Sequence, residues 1–277
     1  MEYRWPEQGL RAVPDWVYTS PDILDRELDL IFRGRTWNYV GLEAEIPKPG
    51  DFKRSYIGDV TVVVSQTEQA MLKLLAPAAR VVLVSNVHAL SPSVAPWGQR
   101  RGIVFIGGFR HPPNVDAMLW YAREVLVHVR ERLPGVKTYV IGSDVPTSIN
   151  ALAADDFVVL GHVPDIEPYF SGCRVSIAPL RYGAGVKGKV NLAMSHGLPV
   201  VATTVAIEGM HLTDGDDVLV ADDPRTFADA VRRAYDDEAV WQRLSDGGRR
   251  NIDRYFSRDV ARAALCELLG IATPDAS

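Results

Sequence analysis

From about Val60 onward, short apolar runs rich in β-branched residues alternate with longer stretches whose apolar positions recur every three or four residues. Runs of the first kind read as strands and of the second as helices, and their alternation predicts βαβ units around a parallel sheet. The strand candidates are Val60 to Val64, Val81 to Val84, Ile103 to Ile106, Lys137 to Ile141, Phe157 to Leu160, Val175 to Ala178, Pro199 to Ala202 and Val218 to Val220. Several are apolar at consecutive positions, as a strand covered on both faces requires. After the Ile103 strand, Val115, Leu119, Ala122, Leu126, Val129 and Leu133 make one apolar stripe, while Asp116, Arg123, Arg130 and Glu131 fall elsewhere. That spacing predicts a core helix, opened by Pro112 and Pro113 and closed by Pro134 and Gly135. Three more helices are expected near Pro224 to Asp236, Glu238 to Tyr255 and Arg258 to Leu269, a helical tail packing back across the sheet.

The first 58 residues differ in kind. Trp5, Pro6, Pro14, Trp16, Tyr18, Pro21, Trp37, Tyr39, Pro47 and Pro49 make a proline- and aromatic-rich stretch with one predicted helix, about Pro21 to Arg33. Ser20 is its cap candidate and Pro21 sits at its first position. The fold class is therefore α/β: a Rossmann-like doubly wound parallel sheet preceded by a short irregular segment.

Composition bounds the function. The chain has 277 residues, 47% apolar and 23% charged, enough to bury a large core. A net charge of -5, with lysines and arginines scattered, gives no attraction to nucleic acid. No apolar run reaches the roughly 18 to 20 residues of a membrane-spanning helix, which leaves only peripheral membrane contact open. Glu2, Arg4 and Glu7 occupy the place where a signal peptide needs an apolar core, so a cytoplasmic location is expected. Cys173 and Cys266 lie far apart with no metal-ligand spacing, and both read as buried small apolar residues.

The chemistry concentrates in the stretch from Ala178 to Thr203. A strand ends at Ala178, a loop carries Gly183 and Gly185, a helix runs from near Val186 to Gly197, and the next strand follows. Glycines let a backbone approach a ligand closely, and a helix N-terminus offers free N–H groups to an anion. Lys187 and Lys189, in an exposed first turn, oppose the helix dipole, which points to a bound phosphate; the alternative is an ordinary turn with solvated lysines. A second βα loop, Gly107 to Asn114, a third, Ile141 to Ser143, and a fourth, Gly161 to Asp165, also follow strands, so four loops can converge on one crevice.

Residues 59–269 resemble the C-terminal domain of GT-B glycosyltransferases of the group 1, family 4 type, with the last strand and helix of the preceding domain. The resemblance is carried in order by Phe105 to Gly108, Pro113 to Asp116, Tyr139 to Ser143, Gly161 to Asp165, Ala178 to Leu180, Gly183 to Lys189, Gly197 to Thr203 and Ile207 to Met210. It implies residues 59–100 as a remnant of the other GT-B domain with its linker, residues 101–270 as a nucleotide-sugar-binding domain, and residues 271–277 as a tail. It further implies a nucleotide-diphosphate sugar as donor substrate, no cofactor and no metal, with Gly107, Gly108, Gly183, Gly185, Lys187 and Lys189 on the diphosphate. Ser143, His162, Val163 and Glu208 are placed near the base or the sugar. The family's two glutamates eight positions apart correspond to Ala184 and Leu192, and its early-loop arginine to Gly108, which removes a ribose contact and a phosphate partner.

The N-terminal runs Trp16 to Asp25, Ile31 to Arg33, Thr36 to Gly41 and Glu45 to Phe52 resemble the opening of Rieske ring-hydroxylating oxygenase large subunits. The cysteine and histidine pairs that hold their cluster are absent from this sequence, so no oxygenase activity is implied. The expected function is nucleotide-sugar binding for glycosyl transfer in surface polysaccharide or O-antigen assembly, incomplete as a catalyst unless a partner supplies the acceptor domain. A non-catalytic fusion or truncated protein is the alternative, and no catalytic residue is assigned.

Overall fold

The computed structural model describes residues 20–27, 55–57, 60–63, 65–92, 94–183 and 185–269. Most of the N-terminal segment, the tail from 270, Val64 and Ala184 lie outside the described residues. Within them, the helix expected from Pro21 is present as Pro21–Glu27.

Two sheets form. The smaller holds β1 (Ser55–Ile57), β2 (Val60–Val63) and β3 (Val81–Leu83), with β1 antiparallel and β3 parallel to β2. The larger holds β4 (Ile103–Ile106), β5 (Thr138–Ile141), β6 (Phe157–Gly161), β7 (Val175–Ala178), β8 (Val200–Ala202) and β9 (Leu219–Val220). Its order is β6-β5-β4-β7-β8-β9, and every pair is parallel. The chain moves outward from β4 to β6, returns across β4, and moves outward the other way: a doubly wound sheet.

Consecutive strand residues feed opposite cores. Ile103, Phe105, Val175, Ile177 and Val201 point into one buried cluster, while Val104, Ala178, Val200 and Ala202 point into another. This is why the strands carry buried, mostly apolar residues on both faces. The helix Pro224–Asp236 covers the first face through Phe227 and Val231. Helix Gly188–Ser195 covers the second through Val190 and Met194, backed by Ile252 and Phe256 of Glu238–Phe256. Each fully buried side chain of this size contributes about 1.5–3 kcal/mol.

Three sequence expectations are corrected. The helix after β4 runs Pro112–Trp120, passes through a π turn at Tyr121–Val125, and resumes as Leu126–Arg132. The wider turn shifts the inward face, so Ala117, Met118, Tyr121 and Val125 are buried while Val115, Leu119 and Ala122 are half-buried. The last helix, Arg258–Leu269, packs on the small sheet, where Leu265 and Leu268 meet Val62, instead of crossing the large one. Cys173 is buried, and desolvation pushes its thiol up to about 12, but Cys266 is half-buried.

Candidate functional site

Because the connections from β4 and β7 leave toward opposite faces of the sheet, the carboxyl ends of these neighbouring strands open a crevice between them. Its volume is about 510 Å³. Gly107, Gly108, Arg110, His111 and Asn114 line it from the loop and helix start after β4. Ser143 and Asp144 line it after β5, and Gly188, Lys189 and Leu192 after β7.

The sheet's hydrogen bonding continues into these loops and fixes them. The Gly107 amide donates to Ile141 O (3.0 Å), Gly142 to Gly161 O (2.9 Å) and Phe109 to Ser143 O (2.9 Å). The loops lie so close that a Cβ on Gly142 would fall 2.0 Å from the Gly107 carbonyl oxygen, which forces glycine there. Asn114, buried, joins two walls of the crevice. Its Nδ2 donates to Gly108 O (2.7 Å), and its Oδ1 accepts from Lys189 Nζ. The same ammonium lies 5.0 Å from the Phe105 ring, an arrangement that aims a cation from the helix start across to the glycine loop.

Lys187 behaves differently. It is 3% exposed, and its Nζ donates to Gly185 O (2.6 Å) and Gly183 O (3.3 Å). The two glycines take φ of 134° and 75°, turning the loop around the ammonium. The expectation that both lysines occupy an exposed first turn is thus corrected: Lys187 is internal and braces the loop, and the helix begins at Gly188. Gly183, Gly185 and Lys187 do not line the crevice.

Of the remaining predicted residues, Ser143 joins Gly107, Gly108 and Lys189 in the crevice. His162 is exposed and Val163 half-buried on the next loop, after β6; Glu208 is exposed at the end of the short helix Thr204–Ile207. None of these three lines the crevice. Arg110, His111, Asn114 and Asp144 were not singled out from the sequence. A polar residue at a helix start beside a Gly-Gly loop was a usable signal for Asn114. Nothing local marked Asp144, which takes φ of 57°.

Electrostatics favour an anion. Arg110, Lys189 and the first turn of helix Gly188–Ser195 all face the crevice. Burial, then Lys189 and Lys187, hold His111 below the usual histidine range. Among the described residues lining the crevice, the one opposing group is Asp144, whose Oδ2 is 3.1 Å from Arg110 Nε. Leu192 supplies an apolar wall. Among the described residues, no group of three His, Cys, Asp or Glu side chains could hold a metal ion, and no helix is long and apolar enough to cross a membrane.

Residues 100–237 match the family described as Glycosyl transferases group 1. An uncharacterized 44.6 kDa protein in the cps region of Klebsiella pneumoniae is 25% identical over 135 residues, 46% of this chain and 35% of that protein. The large oxygenase component of salicylate 5-hydroxylase from Ralstonia is 53% identical over 60 residues, 22% of this chain and 14% of that protein, a short N-terminal similarity. Among solved structures, S. aureus TarM superposes with a TM-score of 0.62 at 16% identity over 76% of this chain and 43% of its own, and one TarM variant is seen in complex with UDP. That likeness establishes the fold alone, a Rossmann-like doubly wound domain. The chain spans less than half the length of each of these relatives.

Proposed function

We propose, from the premise that residues 100–237 form a group 1 glycosyltransferase domain, that this chain binds a nucleotide-diphosphate sugar in the crevice between β4 and β7. The observation that carries the proposal is Lys189, held by Asn114 and aimed across the crevice toward the Gly107-Gly108 loop. A diphosphate there meets a fixed ammonium, the N-terminal amides of helix Gly188–Ser195 and the Arg110 guanidinium, the groups that stabilise charge on a departing nucleoside diphosphate. No cofactor or metal is needed for this. Arg110, two positions beyond Gly108, restores a guanidinium to a loop that lacks one at Gly108.

The reaction served is glycosyl transfer in surface polysaccharide or O-antigen assembly, a reading supported by the relative from a cps region. The described residues before Arg100 form helix Pro21–Glu27, a three-stranded sheet, helix Gln66–Leu75 and a short 3-10 turn at Trp97–Gln99. On this reading, transfer needs an acceptor domain, which a partner can supply. The N-terminal similarity to oxygenase subunits favours a second reading, a fusion product that binds donor without turnover.

Calorimetric titration with UDP, GDP and their sugars tests the first step common to both readings. Saturable binding of at least one nucleotide, accompanied by a thermal shift, is expected. No heat and no shift with any of them refutes donor binding.

A further inference from the structure

The crevice holds one group that an anion site does not call for. Among the described residues lining it, Asp144 is the only carboxylate, set among Arg110, Lys189 and His111. A carboxylate facing a diphosphate is repulsive unless the ligand offers it donors. Asp144 follows β5, the second strand of a doubly wound series that begins with β4. In that topology the carboxyl end of the first strand meets the phosphates, and an acid beyond the second meets the ribose hydroxyls.

The backbone of Asp144 is held in the left-handed region at φ 57°, uncommon for a residue with a side chain, next to Ser143, whose carbonyl accepts from Phe109. Its carboxylate pairs with Arg110, and the two side chains are 41% and 85% exposed. Such an exposed pair is weak and parts easily. A nucleoside diphosphate offers each partner a better contact, phosphate oxygens for the guanidinium and hydroxyls for the carboxylate.

We propose that Asp144 reads the ribose of the bound nucleotide, accepting hydrogen bonds from its 2′- and 3′-hydroxyls as Arg110 turns to the diphosphate. The inference rests on the donor-binding reading above. It makes the crevice selective for ribonucleotides although Leu192, beside it, offers no acceptor.

The test titrates the full chain and its Asp144→Gly variant with UDP and 2′,3′-dideoxy-UDP, and with the matching guanosine pair. Glycine keeps the left-handed backbone without strain. The wild type is expected to bind the ribonucleotide about tenfold or more tightly than its dideoxy counterpart, as for hydrogen bonds to a charged group. Asp144→Gly is expected to bring that ratio close to one, with Asp144→Asn in between. Equal affinity for both nucleotides in the wild type, or an unchanged ratio in the glycine variant, overturns the assignment and leaves donor binding intact. Failure of the wild type to bind either ribonucleotide overturns both.

Discussion

Two lysines of one loop, two positions apart, have separate jobs. Lys189 reaches the crevice and Lys187 is folded into the loop that carries it. Lys189→Ala is expected to weaken nucleoside diphosphate binding by about 1.5–3 kcal/mol, the scale of one charge-assisted bond, and to lower the melting temperature less than Lys187→Met does. Lys187→Met is expected to act through stability, costing roughly 1–3 kcal/mol because Gly183 and Gly185 carbonyls lose a buried donor. Calorimetry and thermal denaturation of the pair separate the roles, and matching behaviour of the two variants contradicts the division. His111 adds a pH signature. Its folded pKa is lowered, so the free protein sheds that proton above the lowered value, which lies under 6.5. A bound diphosphate opposes the shift and draws the proton back. Titration near about pH 6 in buffers of different ionisation heat should show proton uptake in the wild type beyond that of His111→Gln. Identical uptake in both proteins removes His111 from the site.

At the scale of elements, the six parallel strands and the three terminal helices were legible in the sequence, because buried strands need unbroken apolar runs and helices an apolar stripe. Asp223 and Asp237 cap two of those helices, accepting from Arg225, Thr226 and Val240 amides. The π turn at Tyr121–Val125 was not legible. Its cause is tertiary: Tyr121 is fully buried, its hydroxyl 3.1 Å from Thr138 Oγ1, with Trp120 and Tyr121 both edge-on to Phe227. The site was half legible for a similar reason. Glycines and lysines announce a phosphate loop, whereas the inward turn of Lys187 and the placing of Asp144 depend on contacts between loops distant in sequence. The tightest of these contacts yields a prediction. Gly142→Ala drives a methyl into the Gly107 carbonyl and is expected to cost at least about 2 kcal/mol of stability and to impair nucleotide binding. Wild-type stability in that variant, measured by denaturant unfolding, contradicts the packing described for β4 and β5.

For the whole molecule, charge and architecture point the same way. His88, His111 and His211 are all held below the usual range, chiefly by burial. Their unfolded forms bind more protons as pH falls through about 6.5, so the folded state loses stability there, before the carboxylates titrate. A melting temperature that falls between about pH 7.5 and 5.5 is expected, and a flat profile contradicts the burial of these rings. Residues 100–237, which match the group 1 glycosyltransferase family, hold the six-stranded sheet and its crevice, and among the described residues a three-stranded sheet precedes them. Donor binding is the proposed activity, and it rests on the residues that line the crevice. The most direct test is calorimetric titration of UDP and GDP into the wild type and Lys189→Ala. Binding of one nucleotide by the wild type, weakened roughly tenfold to a hundredfold in the variant, is the predicted result; no binding, or equal affinity in the two proteins, contradicts it.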